Sequence, residues 1–268
     1  MAGRVYLPGG LRGRLGNQLF KVNMALQLSV FFDARVSIPF TRYTKLFNLP
    51  SFRVVSCKRL EVKNNLILQC SDFVSGDKSD LLLKIGESLR IGNDVIIPPD
   101  LLGEGFETYS FLHPRELISL KKYRDYGYLA NSVALHFRGT DFLEWNPVAL
   151  MNADYYMEAI YALGLSQLDV NIFSDDLEST TVKQLVKFLP KSRIFPKSSL
   201  ANTFSALSQH GHIIASPSTF SLWAALLGSP SSLTISRKWI DAMVNAGDNF
   251  WPLMAENKNS YIHEINMV

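Results

Sequence analysis

Strand-like apolar runs alternate with helix-patterned segments throughout the second half of the chain. The strand-like runs are Ser132–Arg138, Asp169–Ser174, Ser192–Phe195, His212–Ser216 and Ser232–Ser236. The helical patterns between them are Ala153–Leu163, Glu178–Phe188, Leu200–Gln209 and Thr219–Leu227. Such alternation favours βαβ units, in which right-handed crossovers join parallel strands. The second half therefore predicts a Rossmann-like lobe.

The first half begins in the same way. A strand at Val5–Leu7 leads through a glycine-rich loop into a helix from about Asn17 to Phe32 and a strand at Arg35–Pro39. Further candidate strands, with no clean helix between them, are Arg53–Cys57, Leu66–Cys70 and Asp94–Ile97. We therefore expect an α/β fold of two Rossmann-like lobes that face a central cleft.

The periodicity breaks near Lys121–Ala130, where we place the linker. The predicted domains are an N-terminal lobe over residues 1–125 and a C-terminal lobe over residues 126–250. Residues 251–268 form a tail that we expect to pack back across the lobes.

Composition and charge exclude several classes of protein. The chain has 268 residues, 47% of them hydrophobic, which is typical of a globular protein. The N-terminus has no signal-peptide pattern and no apolar run is long enough to span a membrane, so we expect a soluble, cytoplasmic protein, with peripheral membrane association left open. Its two cysteines, Cys57 and Cys70, are too few for a disulfide framework.

The positive charge is concentrated near the N-terminus. Residues 1–59 hold ten Lys and Arg against one acid, so this segment is +9 in a chain of net charge +3. An anionic ligand facing the first lobe and a merely solvated basic face both fit this distribution. The lack of an interleaved aromatic and basic motif argues against nucleic acid as a partner.

Charged side chains follow the strand that ends at His136, Phe137 and Arg138. Asp141 comes three residues later. Ligands of open α/β sheets bind outside the carboxyl ends of the strands. There the Arg138 guanidinium could hold a diphosphate and a carboxylate could take a proton from a hydroxyl, although a structural ion pair fits equally well.

Two further strand ends carry polar groups. Ser174, Asp175 and Asp176 could bind a purine edge or ribose, or could cap the next helix. Adjacent acids diverge on a regular backbone, so we expect no metal. The other strand end is a hydroxyl-rich turn at a helix start, suited to phosphate or to a plain N-cap. Its candidate residues are Ser218, Thr219, Phe220 and Ser221.

The glycine-rich loop of the first lobe fits neither a dinucleotide fingerprint nor a P-loop. Its usable spacing is Gly10-x-x-Gly13-x-x-Gly16, and no Gly-Lys-Ser/Thr follows. What remains is an anion-binding loop at a helix start, or simply a tight turn. Its candidate donor-binding residues are Arg12, Arg14, Gly16, Asn17 and Gln18.

As a set, these motifs resemble the alpha-1,2-fucosyltransferase family, glycosyltransferase family 11. They are Gly13–Phe20, His136–Asp141, Asp154-Tyr155-Tyr156, Phe173–Asp176 and Ser218–Ser221, in the family's order over roughly residues 10–228. The resemblance implies a GT-B fold and inverting transfer of L-fucose from GDP-fucose to a glycan hydroxyl, with alpha-1,2 linkage. It implies no cofactor and no metal. The second lobe would bind the donor and the first the acceptor.

Two positions depart from the family's pattern. Gly139 stands where the family has a second arginine, and Pro217 stands where it commonly has asparagine. These changes leave open another GDP-sugar or linkage, or a catalytically silent nucleotide-sugar or glycan-binding module. Arg12 or Arg14 could replace the missing charge.

The candidate catalytic residues follow the same strand. Arg138 would neutralise the leaving diphosphate, and Asp141 or Glu144 would be the base for the acceptor hydroxyl. His136 is a further donor-binding candidate. The sequence does not separate Asp141 from Glu144.

Overall fold

The structure, a computed structural model, divides into two compact units, Met1–Lys121 and Lys122–Val268. The residues that it describes are 3–7, 13–39, 41–50, 54–56, 65–69, 71–72, 77–98, 112–121, 129–228, 230–245 and 262–265. Arg12, Cys57, Cys70 and most of the predicted linker and tail lie outside the described residues.

The first unit contains a parallel five-stranded sheet. Its strands are β1 (Arg4–Tyr6), β2 (Arg35–Ile38), β4 (Val54–Ser56), β5 (Leu66–Ile67) and β6 (Val95–Ile96), in the order β4-β2-β1-β6-β5. A separate antiparallel pair joins β3 (Phe47–Asn48) to β7 (Ser119–Leu120). The helices are α1 (Leu15–Phe31), α2 (Lys78–Arg90) and the short α3 (Pro114–Leu117), with a 3-10 turn at Thr44–Leu46.

Helix α2 contradicts the prediction that no clean helix lies between the later strands of this half. The side chain of Asp77 caps its N-terminus by accepting from the backbone N–H groups of Ser79 and Asp80. Leu81, Ile85 and Leu89 lie on its buried face at a spacing of four residues. Both the cap and the spacing are visible in the sequence, so this helix was predictable.

The second unit is a parallel six-stranded sheet flanked by helices. Its strands are β8 (Leu129–Phe137), β9 (Asp169–Ser174), β10 (Arg193–Ile194), β11 (His210–Ala215), β12 (Ser232–Ser236) and β13 (Ile262–Ile265). Its helices are α4 (Phe142–Trp145), α5 (Ala153–Ala162), α6 (Thr180–Phe188), α7 (Leu200–Leu207), α8 (Thr219–Leu227) and α9 (Arg237–Asn245), with a 3-10 turn at Pro147–Ala149. The strand order is β10-β9-β8-β11-β12-β13.

In chain order this sheet reads 3-2-1-4-5-6, the order of a dinucleotide-type Rossmann sheet. The apolar runs form the central strands of this sheet. Helices cover both faces of such a sheet, which favours continuous apolar strands. Four residues of these strands are accordingly 0% exposed: Val133, Leu135, Ile172 and Ile214. The Rossmann-like prediction is confirmed for this half. Strand β13 adds part of the predicted tail to the sheet by pairing with β12.

Candidate functional site

The strand order of the second unit reverses between β8 and β11. The chain continues from β8 to β9 on one side and from β11 to β12 on the other. In open α/β sheets, ligands bind outside the carboxyl ends of the strands at such a reversal. The segments that follow β8, β9 and β11 meet there, and we call them the switch-point site (residues 136–144, 174–176 and 216–221).

Arg138 is held in one orientation at this site. Its Nε donates to Oδ1 of Asp141 at 2.9 Å, and its Nη2 donates to Oδ2 at 3.2 Å. Its Cζ lies 5.4 Å from the centroid of the Phe142 ring, a cation–π contact. A guanidinium has five N–H donors, and these two bonds use two of them. The edge formed by Nη1 and Nη2 therefore keeps donors that can meet an anion bidentately.

Glu144 lies on the exposed side of α4, one turn beyond Asp141. Asp141 differs from it because both of its oxygens accept from Arg138. The two carboxylates that the sequence left equivalent are thus in different environments.

Asp175 ties the end of β9 to the loop after β8. Its Oδ1 accepts from the backbone N–H of Gly139 at 2.9 Å, and its Oδ2 accepts from the Thr140 hydroxyl at 2.8 Å. Asp176 lies beside it, with its Oδ1 accepting from the Glu178 N–H at 3.2 Å.

Helix α6 begins later than predicted, at Thr180, and its N-cap is Ser179. Neither Asp175 nor Asp176 is its N-cap, so that alternative is wrong. The hydroxyl of Ser174 accepts from the Asp176 N–H at 2.9 Å and thereby shapes the turn between strand and helix.

No larger residue fits at Gly139. A Cβ there would lie 2.7 Å from Cε1 of Phe137 and 3.3 Å from Cβ of Asp176. A second arginine at this position would collide with the Phe137 ring, which is 1% exposed and belongs to the core. The surroundings of Gly139 therefore have room for glycine only, and in this conformation they exclude the side chain of a second arginine.

His136 is a buried, neutral side chain. It is 7% exposed, and burial lowers the pKa of its ring from 6.5 to about 4, with the nearby Asp175 carboxylate acting in the opposite direction. Its Nδ1 lies 3.3 Å from the Ser216 hydroxyl, which joins β8 to β11 across the switch point. Its ring centroid is 5.6 Å from that of Phe220.

Two tyrosines of α5 donate hydrogen bonds to backbone carbonyls at the ends of β8 and β11. Tyr156 donates to the His136 carbonyl at 2.9 Å, and Tyr155 donates to the Ala215 carbonyl at 2.9 Å. Both rings are fully buried, and burial raises the pKa of both hydroxyls well above the usual value of tyrosine. Their family motif was visible in the sequence, but these hydrogen bonds were not.

The hydroxyl-rich turn begins α8. Ser218 is its N-cap and accepts from the Phe220 N–H at 3.3 Å. Ser221 is fully buried and donates to the carbonyl of Ser218 at 3.1 Å. Both hydroxyls thus have partners inside the turn, whereas Thr219 and Phe220 are half-buried.

The remaining candidates lie in the first unit. Gly13 has a positive φ of 86° and precedes α1, which begins at Leu15, two residues before the predicted start. Gln18 is buried, donates to the Gly13 carbonyl at 3.1 Å and accepts from the Thr41 hydroxyl at 3.0 Å. Gly16 is buried, Asn17 half-buried and Arg14 exposed. That these residues of the first unit take part in donor binding stays a prediction.

Residues 125–252 match the family model of Glycosyl transferase family 11. Over this stretch, which is just under half of the chain, the sequence is similar to that family. The matched stretch contains every residue of the switch-point site, and the predicted resemblance to this family is confirmed. No curated protein sequence matches the chain.

Solved structures show the same fold at low sequence identity. The chain is similar to fucosyltransferase NodZ from Bradyrhizobium, with 14% identity, a TM-score of 0.53 and coverage of 85% of this chain and 94% of NodZ. It is also similar to POFUT1 in complex with GDP-fucose, with 12% identity, a TM-score of 0.56 and coverage of 87% and 97%. A structure of NodZ alpha-1,6-fucosyltransferase soaked with GDP-fucose matches at 15% identity and a TM-score of 0.51, over 84% and 93%. The predicted GT-B-like α/β fold class is confirmed.

Within the described residues, no group of three or more His, Cys, Asp or Glu side chains lies close enough to hold a metal ion. None of the helices in the described part of the chain is both long and apolar enough to cross a membrane.

Proposed function

We propose that the protein is an inverting glycosyltransferase that moves L-fucose from GDP-fucose to a glycan hydroxyl. The observation that carries the proposal is Arg138, held by Asp141 at the switch point of a family 11 sheet. Binding of GDP-fucose by POFUT1 and NodZ, which have the same fold, supports this choice of donor.

In the proposed reaction, the acceptor oxygen attacks the anomeric carbon of fucose. The bond from that carbon to the phosphate oxygen breaks, and GDP leaves with the electron pair. Arg138 stabilises the charge that develops on the diphosphate, through the guanidinium edge that Asp141 leaves open. Because the guanidinium is already oriented, little reorganisation is needed as the charge grows.

The hydroxyl-rich turn is the second donor-binding element in this proposal. It begins the nine-residue helix α8, whose N-terminus carries a partial positive charge. Thr219 and Phe220 are the candidates for contact with the nucleotide because both are half-buried, whereas Ser218 and Ser221 are buried. His136, Ser174 and Asp176 would contact or shape the same pocket.

The acceptor proton goes to a carboxylate. Glu144 is exposed, whereas the oxygens of Asp141 both accept from Arg138. We therefore assign the base to Glu144 and the orientation of Arg138 to Asp141. The hydrogen bonds of Asp141 thus serve the orientation of Arg138, whereas the exposed Glu144 carboxylate is open to an acceptor hydroxyl.

The finer elements of the proposal are the alpha-1,2 linkage, independence from metals, and an acceptor side in the first lobe. The family resemblance supports the linkage. In the absence of a metal, Arg138 supplies the positive charge that the leaving diphosphate needs. In the first lobe, the donor-binding candidates stay Arg12, Arg14, Gly16, Asn17 and Gln18.

A panel of ligands and acceptors tests the proposal. GDP-fucose should raise the Tm more than GDP-mannose or UDP-sugars, because a ligand that binds only the native state stabilises it. Labelled GDP-fucose on a glycan array should then give a labelled product, and its linkage can be read by methylation analysis. Donor binding with neither transfer nor hydrolysis would instead identify a silent binding module, which the closed position at Gly139 makes the second candidate.

A further inference from the structure

The carboxylate of Asp175 faces another loop of the same unit. Both oxygens accept hydrogen bonds from residues that lie 35 and 36 positions earlier, namely Thr140 and Gly139. The bonds are 2.8 and 2.9 Å long, which is normal for strong hydrogen bonds to a carboxylate. Asp175 thus joins the ends of two adjacent strands.

The loop that receives these bonds is the one that carries Arg138. Gly139 is the next residue, so a bond to its N–H fixes the peptide plane that follows Arg138. At the other end of the loop, Asp141 holds the guanidinium itself. Arg138 is therefore fixed from both sides, by Asp175 through the backbone and by Asp141 through the side chain.

Gly139 makes the close approach possible. A Cβ at this position would lie 2.7 Å from the ring of Phe137 and 3.3 Å from Cβ of Asp176. Since the β9 end lies this close, the backbone N–H of Gly139 reaches Asp175 directly. We call the two hydrogen bonds that Asp175 accepts from Gly139 and Thr140 the Asp175 clamp. Glycine in place of the family's second arginine and this clamp thus belong to one local arrangement.

We propose that Asp175 is a positioning residue that fixes Arg138, and not a contact of the nucleotide. This inference rests on the proposed function, because the role assigned to Arg138 is binding of the donor diphosphate. It changes the expectation drawn from the sequence, in which Asp175 was a donor-binding candidate. Thr140 belongs to the same clamp, although it was not among the candidate site residues.

A double-mutant cycle separates positioning from contact. The Kd of GDP is measured for wild type, Asp175→Ala, Arg138→Ala and the double variant. If Asp175 acts through Arg138, Asp175→Ala weakens GDP binding about tenfold in the wild-type background and leaves it unchanged in the Arg138→Ala background. An equal loss in both backgrounds would show a direct contact and overturn the proposal. Glu178→Ala, which removes an exposed carboxylate three residues away, is the matched control and should leave Kd unchanged.

A second cycle tests the clamp without any ligand. Asp175→Ala and Thr140→Val should each lower the Tm, and the two decreases should not add. The Tm of the double variant should therefore be little lower than that of Asp175→Ala alone. Fully additive losses would mean that the clamp does not exist. Asp175→Asn should restore part of the Tm and part of the GDP affinity, because the Thr140 hydroxyl can turn and accept from the amide. If wild type binds no GDP, the proposed function fails, while the ligand-free cycle still decides whether the clamp exists.

Discussion

The Arg138 guanidinium and the Asp141 carboxylate form a bidentate pair, with N–O distances of 2.9 and 3.2 Å. The side chain of Arg138 is 15% exposed and that of Asp141 39% exposed, so the pair lies at the margin of the core. The pair orients a cation whose Nη1 and Nη2 atoms keep N–H donors for an anion. For this reason we regard Asp141 as part of the donor site and look elsewhere for the base.

The first prediction concerns the base. Glu144→Gln should lower kcat by about 10²–10⁴-fold with little change in the Kd of GDP-fucose, because general-base catalysis typically contributes that much. Asp141→Asn should instead weaken donor binding together with rate. Calorimetric titration and initial rates measure both effects. If Glu144→Gln keeps near wild-type turnover, the base lies elsewhere.

The second prediction concerns Gly139. Gly139→Ala should destabilise the protein by about 1–3 kcal/mol, since an added methyl in a filled space forces its neighbours to move. The closest neighbour is Cε1 of Phe137, at 2.7 Å. Phe137→Leu should therefore make the same substitution less destabilising, as measured by chemical unfolding. Equal destabilisation in both backgrounds would argue against this contact.

The third prediction is a loss of stability in mild acid. Burial lowers the pKa of His136 to about 4 in the folded protein, whereas an unfolded histidine titrates near 6.5. Between these values the unfolded chain binds more protons, so stability falls as the pH drops from 6.5 towards 4. Over that whole interval, the contribution of His136 amounts to about 3 kcal/mol.

The control for this effect is a variant that cannot titrate. Burial also lowers the pKa of His210, so wild type should show a combined acid sensitivity. His136→Asn should show a shallower dependence of unfolding free energy on pH, with the difference confined to the acid side of pH 6.5. Parallel pH profiles for wild type and His136→Asn would contradict a buried neutral His136.

The fourth prediction is independence from metals. Transfer from GDP-fucose should proceed at an unchanged rate in EDTA, because in the proposed mechanism Arg138 supplies the positive charge at the diphosphate. Initial rates with EDTA, and after readdition of Mg²⁺ or Mn²⁺, measure this. A loss of rate that Mn²⁺ restores would instead make Asp175 and Asp176 metal ligands.

Much of the second unit follows from its sequence pattern. Strands β9 and β12 and helix α8 have the predicted bounds, because buried parallel strands are short apolar runs between amphipathic helices. That the polar ends of β8, β9 and β11 lie at one edge followed as well, since the carboxyl ends of parallel strands meet there.

What the pattern could not predict are the contacts between segments. The bonds from Asp175 to Gly139 and Thr140 depend on rotamers and on the exact spacing of two strands. The hydroxyl of Ser221 turned out to be directed into its own turn. A sequence shows which groups reach the same edge of a sheet, but it does not show which partners they choose.

The most direct test of the account is GDP binding and fucose transfer by Arg138 variants. Arg138→Ala should abolish transfer and weaken GDP binding, and Arg138→Lys should also be impaired because a point charge cannot replace a bidentate guanidinium. Arg193→Ala, an exposed arginine on the edge strand β10, is the control and should behave as wild type. Near wild-type GDP affinity and turnover in Arg138→Ala would contradict the central claim that Arg138 holds the diphosphate.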